Sequence, residues 1–176
     1  MKTKHLIYGL IGFISCIFVL SCGNNKTEKD KINLKEYEKP LEKANKHLVK
    51  TENEQIEDYI SRYNWKMQET GTGLRYLIYE KGDGENAEKG KVVKINFTVN
   101  LINGNKCYSS IEDGPKEFVL GKSDEINGLH EGILLMKKGD KAKFIIPSHL
   151  AFGLLGDNEK IPMRATLIYD IELLKN

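Results

Sequence analysis

An α+β fold, with an antiparallel β-sheet wrapped on one short helix behind an N-terminal helical region, is predicted from three features of the sequence. Val93, Ile95, Phe97, Val99 and Leu101 alternate with Lys94, Asn96, Thr98 and Asn100, the period-two pattern of a strand with one face buried. Leu129, Ile133 and Met136, with Leu134, recur at helical spacing over one short stretch. Within residues 41–66, Leu41, Ala44, His47 and Leu48, then Ile56, Tyr59, Ile60 and Tyr63, lie three or four apart.

The first segment is a targeting signal. Lys2 and Lys4 precede an uncharged run from Leu6 to Leu20, which ends at Val19-Leu20-Ser21-Cys22-Gly23. A basic start, a short apolar core and small residues at its end describe a secretory signal peptide, and the run is short for a membrane span. The small residue before cysteine resembles a bacterial lipobox, which implies cleavage after residue 21 and lipidation of Cys22. Acyl chains there would anchor the protein, since each buried methylene contributes about 0.8 kcal/mol. The competing reading of residues 1–21 is an uncleaved signal anchor. Gly23 after the cysteine points by analogy to the outer membrane, facing the periplasm.

Residues 22–40 are rich in Asn, Lys and Glu with one proline, the composition of a flexible tether. In the helical region that follows, residues 41–66, Thr51-Glu52-Asn53-Glu54 has the capping-box pattern and predicts a helix start. The apolar stripe beyond it, with Trp65, must be buried. It either packs on the domain that follows or pairs with its copy in a homodimer.

Residues 73–176 make the compact domain, large enough at about 100 residues for one core. Gly73 to Glu80 reads as a strand and Gly82-Asp83-Gly84 as a turn. Asn103-Gly104 is a hairpin signal, because both residue types tolerate positive φ. The short helix ends at Lys137-Lys138-Gly139-Asp140, and Lys141 to Pro147 and Arg164 to Leu174 are further strands.

Composition narrows the function. Residues 1–21 hold two lysines and no acid, so the remainder has as many basic as acidic residues and offers no support for nucleic-acid binding. With Cys16 in the signal and Cys22 lipidated, Cys107 stands alone and is read as a small apolar strand residue. His5, His47, His130 and His149 show no metal-ligand spacing, so no metal and no cofactor are expected.

The sequence resembles the FKBP-type peptidyl-prolyl isomerases over the compact domain. The likeness is carried, in order, by Phe118-Val119-Leu120-Gly121-Lys122, the run Ile126 to Gly132, Gly139 to Pro147, Ser148-His149-Leu150-Ala151-Phe152-Gly153, and the stretch Ile161-Pro162 to Glu172. The signal, tether and helical region further resemble gliding-motility-associated lipoproteins that carry this domain. The resemblance implies action on proline-containing polypeptides. Rotating a prolyl amide faces a barrier of about 18–20 kcal/mol and needs a dry pocket rather than a nucleophile. The pocket would fall on Phe97, Ile126, Leu129, Phe152, Ile161 and Tyr169, with the Ile126 N–H holding a substrate carbonyl and loop 153–161 overhanging the cleft.

The sequence departs from the family where chemistry is expected. Cys107 and Tyr108 stand where active members usually carry phenylalanine and aspartate. Phe97 and Phe152 each replace a tyrosine, Leu129 replaces an indole, and Lys116 and Lys160 stand at apolar positions. The outline of the pocket is kept while its hydrogen bonding is reduced. Two functions are therefore expected to compete: a lipid-tethered isomerase for exported proteins, and a binding module or chaperone of a motility or secretion apparatus. Under the first, Tyr108→Asp is expected to raise turnover.

Overall fold

Regular alternation places Val93, Ile95, Phe97 and Val99 on one buried face of a ten-residue strand, Val92–Leu101. In the computed structural model the described residues are 34–175. Helix α1 (Leu34–Tyr63) is followed by β1 (Gln68–Glu69), β2 (Arg75–Glu80), β3 (Val92–Leu101) and β4 (Lys106–Ser109). Then come a one-turn helix α2 (Ser110–Asp113), β5 (Lys116–Val119), α3 (Asn127–Leu134), β6 (Lys141–Ile146), a 3-10 turn at Ser148–Leu150, and β7 (Leu167–Leu173).

All strand pairs are antiparallel, in the order β1-β2-β6-β7-β3-β4, with β5 also on β3. The split edge of β3 matters for function. Its first half, Val92 to Ile95, pairs with β5, and its second half, from Thr98, pairs with β4. Between them the Phe97 N–H has no strand partner on that side and donates instead to Ser110 Oγ at 3.1 Å. The sheet edge is therefore interrupted at Phe97, where β4 gives way to α2.

The hairpin between β3 and β4 differs from the expected pair of positive-φ residues, because only Gly104 takes one, at 91°. The Gly104 N–H donates to the Leu101 carbonyl and the Leu101 N–H to the Asn105 carbonyl, each at 2.9 Å. A turn followed by one left-handed residue gives the three-residue hairpin, for which one glycine suffices.

One face of the sheet carries the main core. Leu129, Ile133 and Met136 meet Phe144, Ile146, Leu167, Tyr169 and Ile171 there. Side chains of this size contribute about 1.5–3 kcal/mol each when fully buried. Helix α3 approaches β6 closely because Gly128 faces Ile146 and Gly132 faces the Phe144 ring.

Helix α1 covers part of the other face from Glu52 onward. Ile56 and Tyr59 pack on Ile145 and Ile168, which are register partners in β6 and β7. Trp65 joins them, its ring 5.6 Å from Tyr59 and 5.1 Å from Tyr63. Of the two burial partners open to the Ile56–Tyr63 stripe, the domain itself takes Ile56 and Tyr59. The first stripe differs: Leu41, Leu48 and the neighbouring Val49 remain exposed.

Two boundaries are corrected. The helix begins at Leu34, inside the expected tether, and runs through Pro40 to Tyr63. No helix starts at Thr51. Its hydroxyl donates back to the His47 carbonyl at 3.0 Å, which is how a threonine satisfies itself within a helix. The capping-box residues serve tertiary contacts instead: Asn53 binds Arg75, and Glu52 binds Ser148 and Thr166. The signal peptide, the Leu6–Leu20 run and Cys22 lie outside the described residues.

Candidate functional site

The segment after β6 is shaped by its own polar groups. Pro147 ends the strand, the 3-10 turn follows, and the Gly153 N–H returns to the Ser148 carbonyl at 2.9 Å. The Arg164 N–H donates to the Gly153 carbonyl at 2.7 Å and closes the neck of the loop. Inside it, Asp157 acts as an organiser. Its Oδ1 accepts the N–H groups of Glu159 at 2.9 Å and Ile161 at 2.8 Å, an Asx-type turn. The result fixes Phe152 at one end of the loop and Ile161 at the other.

A cleft of about 400 Å³ opens between this loop and the interrupted edge of β3, lined by Phe97, Tyr108, Phe152, Ile161 and Tyr169 among others. Those five come from β3, β4, the loop and β7, so no local stretch of sequence contains the site. Tyr169 and Ile161 are buried, while Phe152 is 36% exposed and stands at the rim. The hydroxyl of Tyr108 donates to Asp157 Oδ2 at 2.5 Å across the cleft, joining β4 to the loop.

Three predicted residues take other places. Leu129 is fully buried on α3, and Cys107 and Ile126 are also buried in the main core. None of the three lines the cleft. Ile126 nevertheless caps the N-terminus of α3 in an extended conformation, with φ −61° and ψ 144°. No described residue accepts a hydrogen bond from its N–H. The α3 end is located by His130, whose Nδ1 accepts the Gly121 N–H at 2.9 Å and whose ring meets Phe118 edge-on.

The cleft is more charged than its apolar outline suggests. Lys116 pairs with Glu125 at 3.1 Å and lies 5.6 Å from the centre of the Phe97 ring. The Lys160 ammonium stands 4.7 Å over Tyr108. The carboxylates of Asp113, Glu125, Asp157 and Glu159 also line the cleft. Sequence reasoning singled out the two lysines as anomalies but missed the acids. Their partners lie up to 51 residues away, and no periodicity links them.

These neighbours set the protonation states. Desolvation, then the hydrogen bond and charge of Asp157, push the Tyr108 phenol well above its usual range, so it stays a donor. Desolvation of Asp157 acts upward, but the bonds from Tyr108 and from the Glu159 and Ile161 amides outweigh it. Asp157 is held below the usual carboxylate range. Burial, followed by the Asp157 charge, raises the Cys107 thiol, which is thereby kept neutral. Among the described residues no group of three His, Cys, Asp or Glu is placed to hold a metal ion.

A model of the FKBP-type peptidyl-prolyl cis-trans isomerases matches residues 83–174, which takes in β3 to β7 and every residue of the cleft. The chain belongs to that family. Among relatives, it is 41% identical over 106 residues to a probable FKBP-type peptidyl-prolyl cis-trans isomerase of Haemophilus influenzae, covering 60% of this chain and 43% of the relative. It is 36% identical over 161 residues to the isomerase FkpA of Buchnera aphidicola, covering 86% of this chain and 63% of the relative. The chain thus spans less than two thirds of either relative. The crystal structure of FkpA from Escherichia coli is similar in fold, with a TM-score of 0.64 at 27% identity, over 99% of this chain and 82% of that one. Family membership accounts for the order of strands.

Proposed function

We propose that the protein is a peptidyl-prolyl cis-trans isomerase that acts on proline-containing polypeptides. The observation that carries this reading is the convergence of Phe97, Phe152, Ile161 and Tyr169 on one cleft, with the unpaired N–H of Ile126 one residue on from the cleft-lining Glu125. A prolyl ring inserted among these side chains leaves water, and the amide twists more easily where its polar resonance form is poorly solvated. The Ile126 N–H would hold the carbonyl of a neighbouring residue. The test is prolyl isomerisation of a short X–Pro peptide by the full chain, with Phe152→Ala as control. Acceleration lost in the control supports the reading. No acceleration by the folded wild-type chain sinks it.

A second reading, a binding module or chaperone with little turnover, is favoured by one feature. Tyr108 spends its hydroxyl on Asp157, so the wall that is acidic in active relatives has its donor occupied. Such a module would bind proline-containing chains with equal affinity and leave their isomerisation rate unchanged.

In the wider reading the protein is lipid-anchored through Cys22 in the cell envelope, on the outer membrane facing the periplasm, where it assists exported proteins. The sequence Ser21-Cys22 after an apolar run supports this. Incorporation of labelled palmitate, lost in Cys22→Ala, and fractionation of the envelope test it. A homodimer through residues 41–66 rests on the exposed Leu41, Leu48 and Val49 of α1. Light scattering that gives a monomer would remove it. A role in a motility apparatus would show as loss of motility on deletion.

A further inference from the structure

The cleft carries four carboxylates, Asp113, Glu125, Asp157 and Glu159, against the single lining lysine Lys116. That imbalance has local consequences. Glu125 is answered by Lys116 at 3.1 Å. Asp113 accepts only the Ser109 N–H, at 3.2 Å, and has no described cation within ion-pair distance. Asp157 and Glu159 both face the Tyr108 hydroxyl, at 2.5 and 3.3 Å. That hydroxyl has one hydrogen, and the shorter contact takes it. Glu159 is left without a donated hydrogen, and it is exposed at the cleft mouth. Lys160 sits over the Tyr108 ring and forms no ion pair with a described carboxylate.

We infer that this cleft selects polypeptides in which lysine or arginine flanks the proline. The inference rests on the isomerase or proline-binding reading of the same site. A prolyl ring between Phe152 and Tyr169 brings its flanking residues to the rim, where Glu159 and Asp113 stand. An ammonium or guanidinium there gains two carboxylates that the protein itself leaves without a cation. A glutamate in the same place meets repulsion from the same groups. An apolar flanking residue meets neither, and covers charged groups that would rather stay hydrated. Asp157 holds its charge beside them because three donors converge on it.

The test uses the full chain and three labelled peptides, identical except for Lys, Leu or Glu on both sides of a central proline. Binding is followed by fluorescence anisotropy and isomerisation by exchange spectroscopy. The lysine peptide is expected to bind about fivefold more tightly than the leucine peptide, the scale of one or two partly exposed ion pairs, and the glutamate peptide most weakly. The lysine-to-leucine ratio should fall toward one in 1 M salt, where the Debye length is about 3 Å. It should fall likewise in Glu159→Gln, and more so when Asp113→Asn is added. Leucine bound as well as lysine, or a ratio indifferent to salt and to Glu159→Gln, would overturn the inference. Ordered binding without acceleration would overturn the enzyme reading and support the selectivity. Failure of every peptide to bind would overturn both.

Discussion

The Glu52 carboxylate of helix α1 holds Ser148 twice, accepting its backbone N–H at 2.7 Å and its hydroxyl at 3.0 Å. The same carboxylate accepts the Thr166 hydroxyl at 2.7 Å. Ser148 and Thr166 bracket the segment that carries Phe152 and Ile161, so a helix outside the family-matched region braces the walls of the cleft. Glu52→Ala would strand three part-buried donors and should destabilise the protein by about 2–4 kcal/mol. Urea unfolding would measure this, and a cost below about 0.5 kcal/mol would mean that water replaces the carboxylate at little loss.

The Tyr108–Asp157 bond leads to a second prediction. Tyr108→Phe should loosen the loop at a cost of about 1 kcal/mol. The family resemblance alone favours Tyr108→Asp as a gain of activity. The structure argues the other way, since a carboxylate at 108 would face Asp157 and Glu159 without a proton to share. Turnover by Tyr108→Asp is expected not to rise, and Asp157→Asn in the same background should relieve the repulsion. Comparison of kcat/KM across the three variants decides this; a rise in Tyr108→Asp alone would show that loop order matters less than a polar pocket wall.

Gly132 allows α3 to lie against β6. A methyl group there would come within 2.5 Å of the Phe144 ring, which is fully buried and has no room to yield. Gly132→Ala should therefore destabilise by about 1–3 kcal/mol, although alanine is the better helix former. A stabilised variant in thermal melts would show that the ring moves aside.

Alkaline stability should depend on the α1 contact. Burial first, then its hydrogen bond and charge interaction with Tyr63, push Tyr59 from 10.0 to about 12, with Arg62 opposing. A raised folded value means that the neutral phenol is favoured in the native state. Its stabilising effect is full below pH 10 and is lost as pH rises toward 12. Stability measured by denaturant at a series of pH values should decline over that window. The decline should be shallower in Tyr59→Phe, and an unchanged slope would place the titrating group elsewhere.

The Cys107 thiol gives a fifth check. Burial and the nearby Asp157 charge hold it above its ordinary range, so alkylation at pH 8 should be slow in the native chain and fast in denaturant. Prompt modification of the folded protein would place Cys107 at an accessible wall of the cleft, as the family position implies.

The strands and their buried faces were legible because they rest on local alternation. Val93 to Val99 point into the core because period two is a property of the extended chain itself. The apolar pairs Ile145–Ile146 and Leu167–Ile168 interrupt that period, and the structure gives the cause. One residue of each pair enters the main core, and Ile145 and Ile168 meet α1 on the opposite face. The false helix start at Thr51 arose from the same local logic, since Thr51 bonds within the helix it was expected to open, and Glu52 and Asn53 make their bonds to partners distant in the chain.

By itself the sequence determined the α+β class, the position of the short helix, the burial of β3 and the group of Phe97, Phe152, Ile161 and Tyr169 that the cleft brings together. The first three follow from periodicity among neighbouring residues, and the cleft group is what the resemblance to the isomerase family implied. Only the tertiary structure decided that Leu129, Cys107 and Ile126 lie in the core rather than along the cleft, and that Asp113, Glu125, Asp157 and Glu159 surround it. Electrostatic and hydrogen-bond partners are chosen by distance in space, and in this fold the Tyr108 hydroxyl meets Asp157 across 49 residues of chain. No pattern within either segment could specify that meeting.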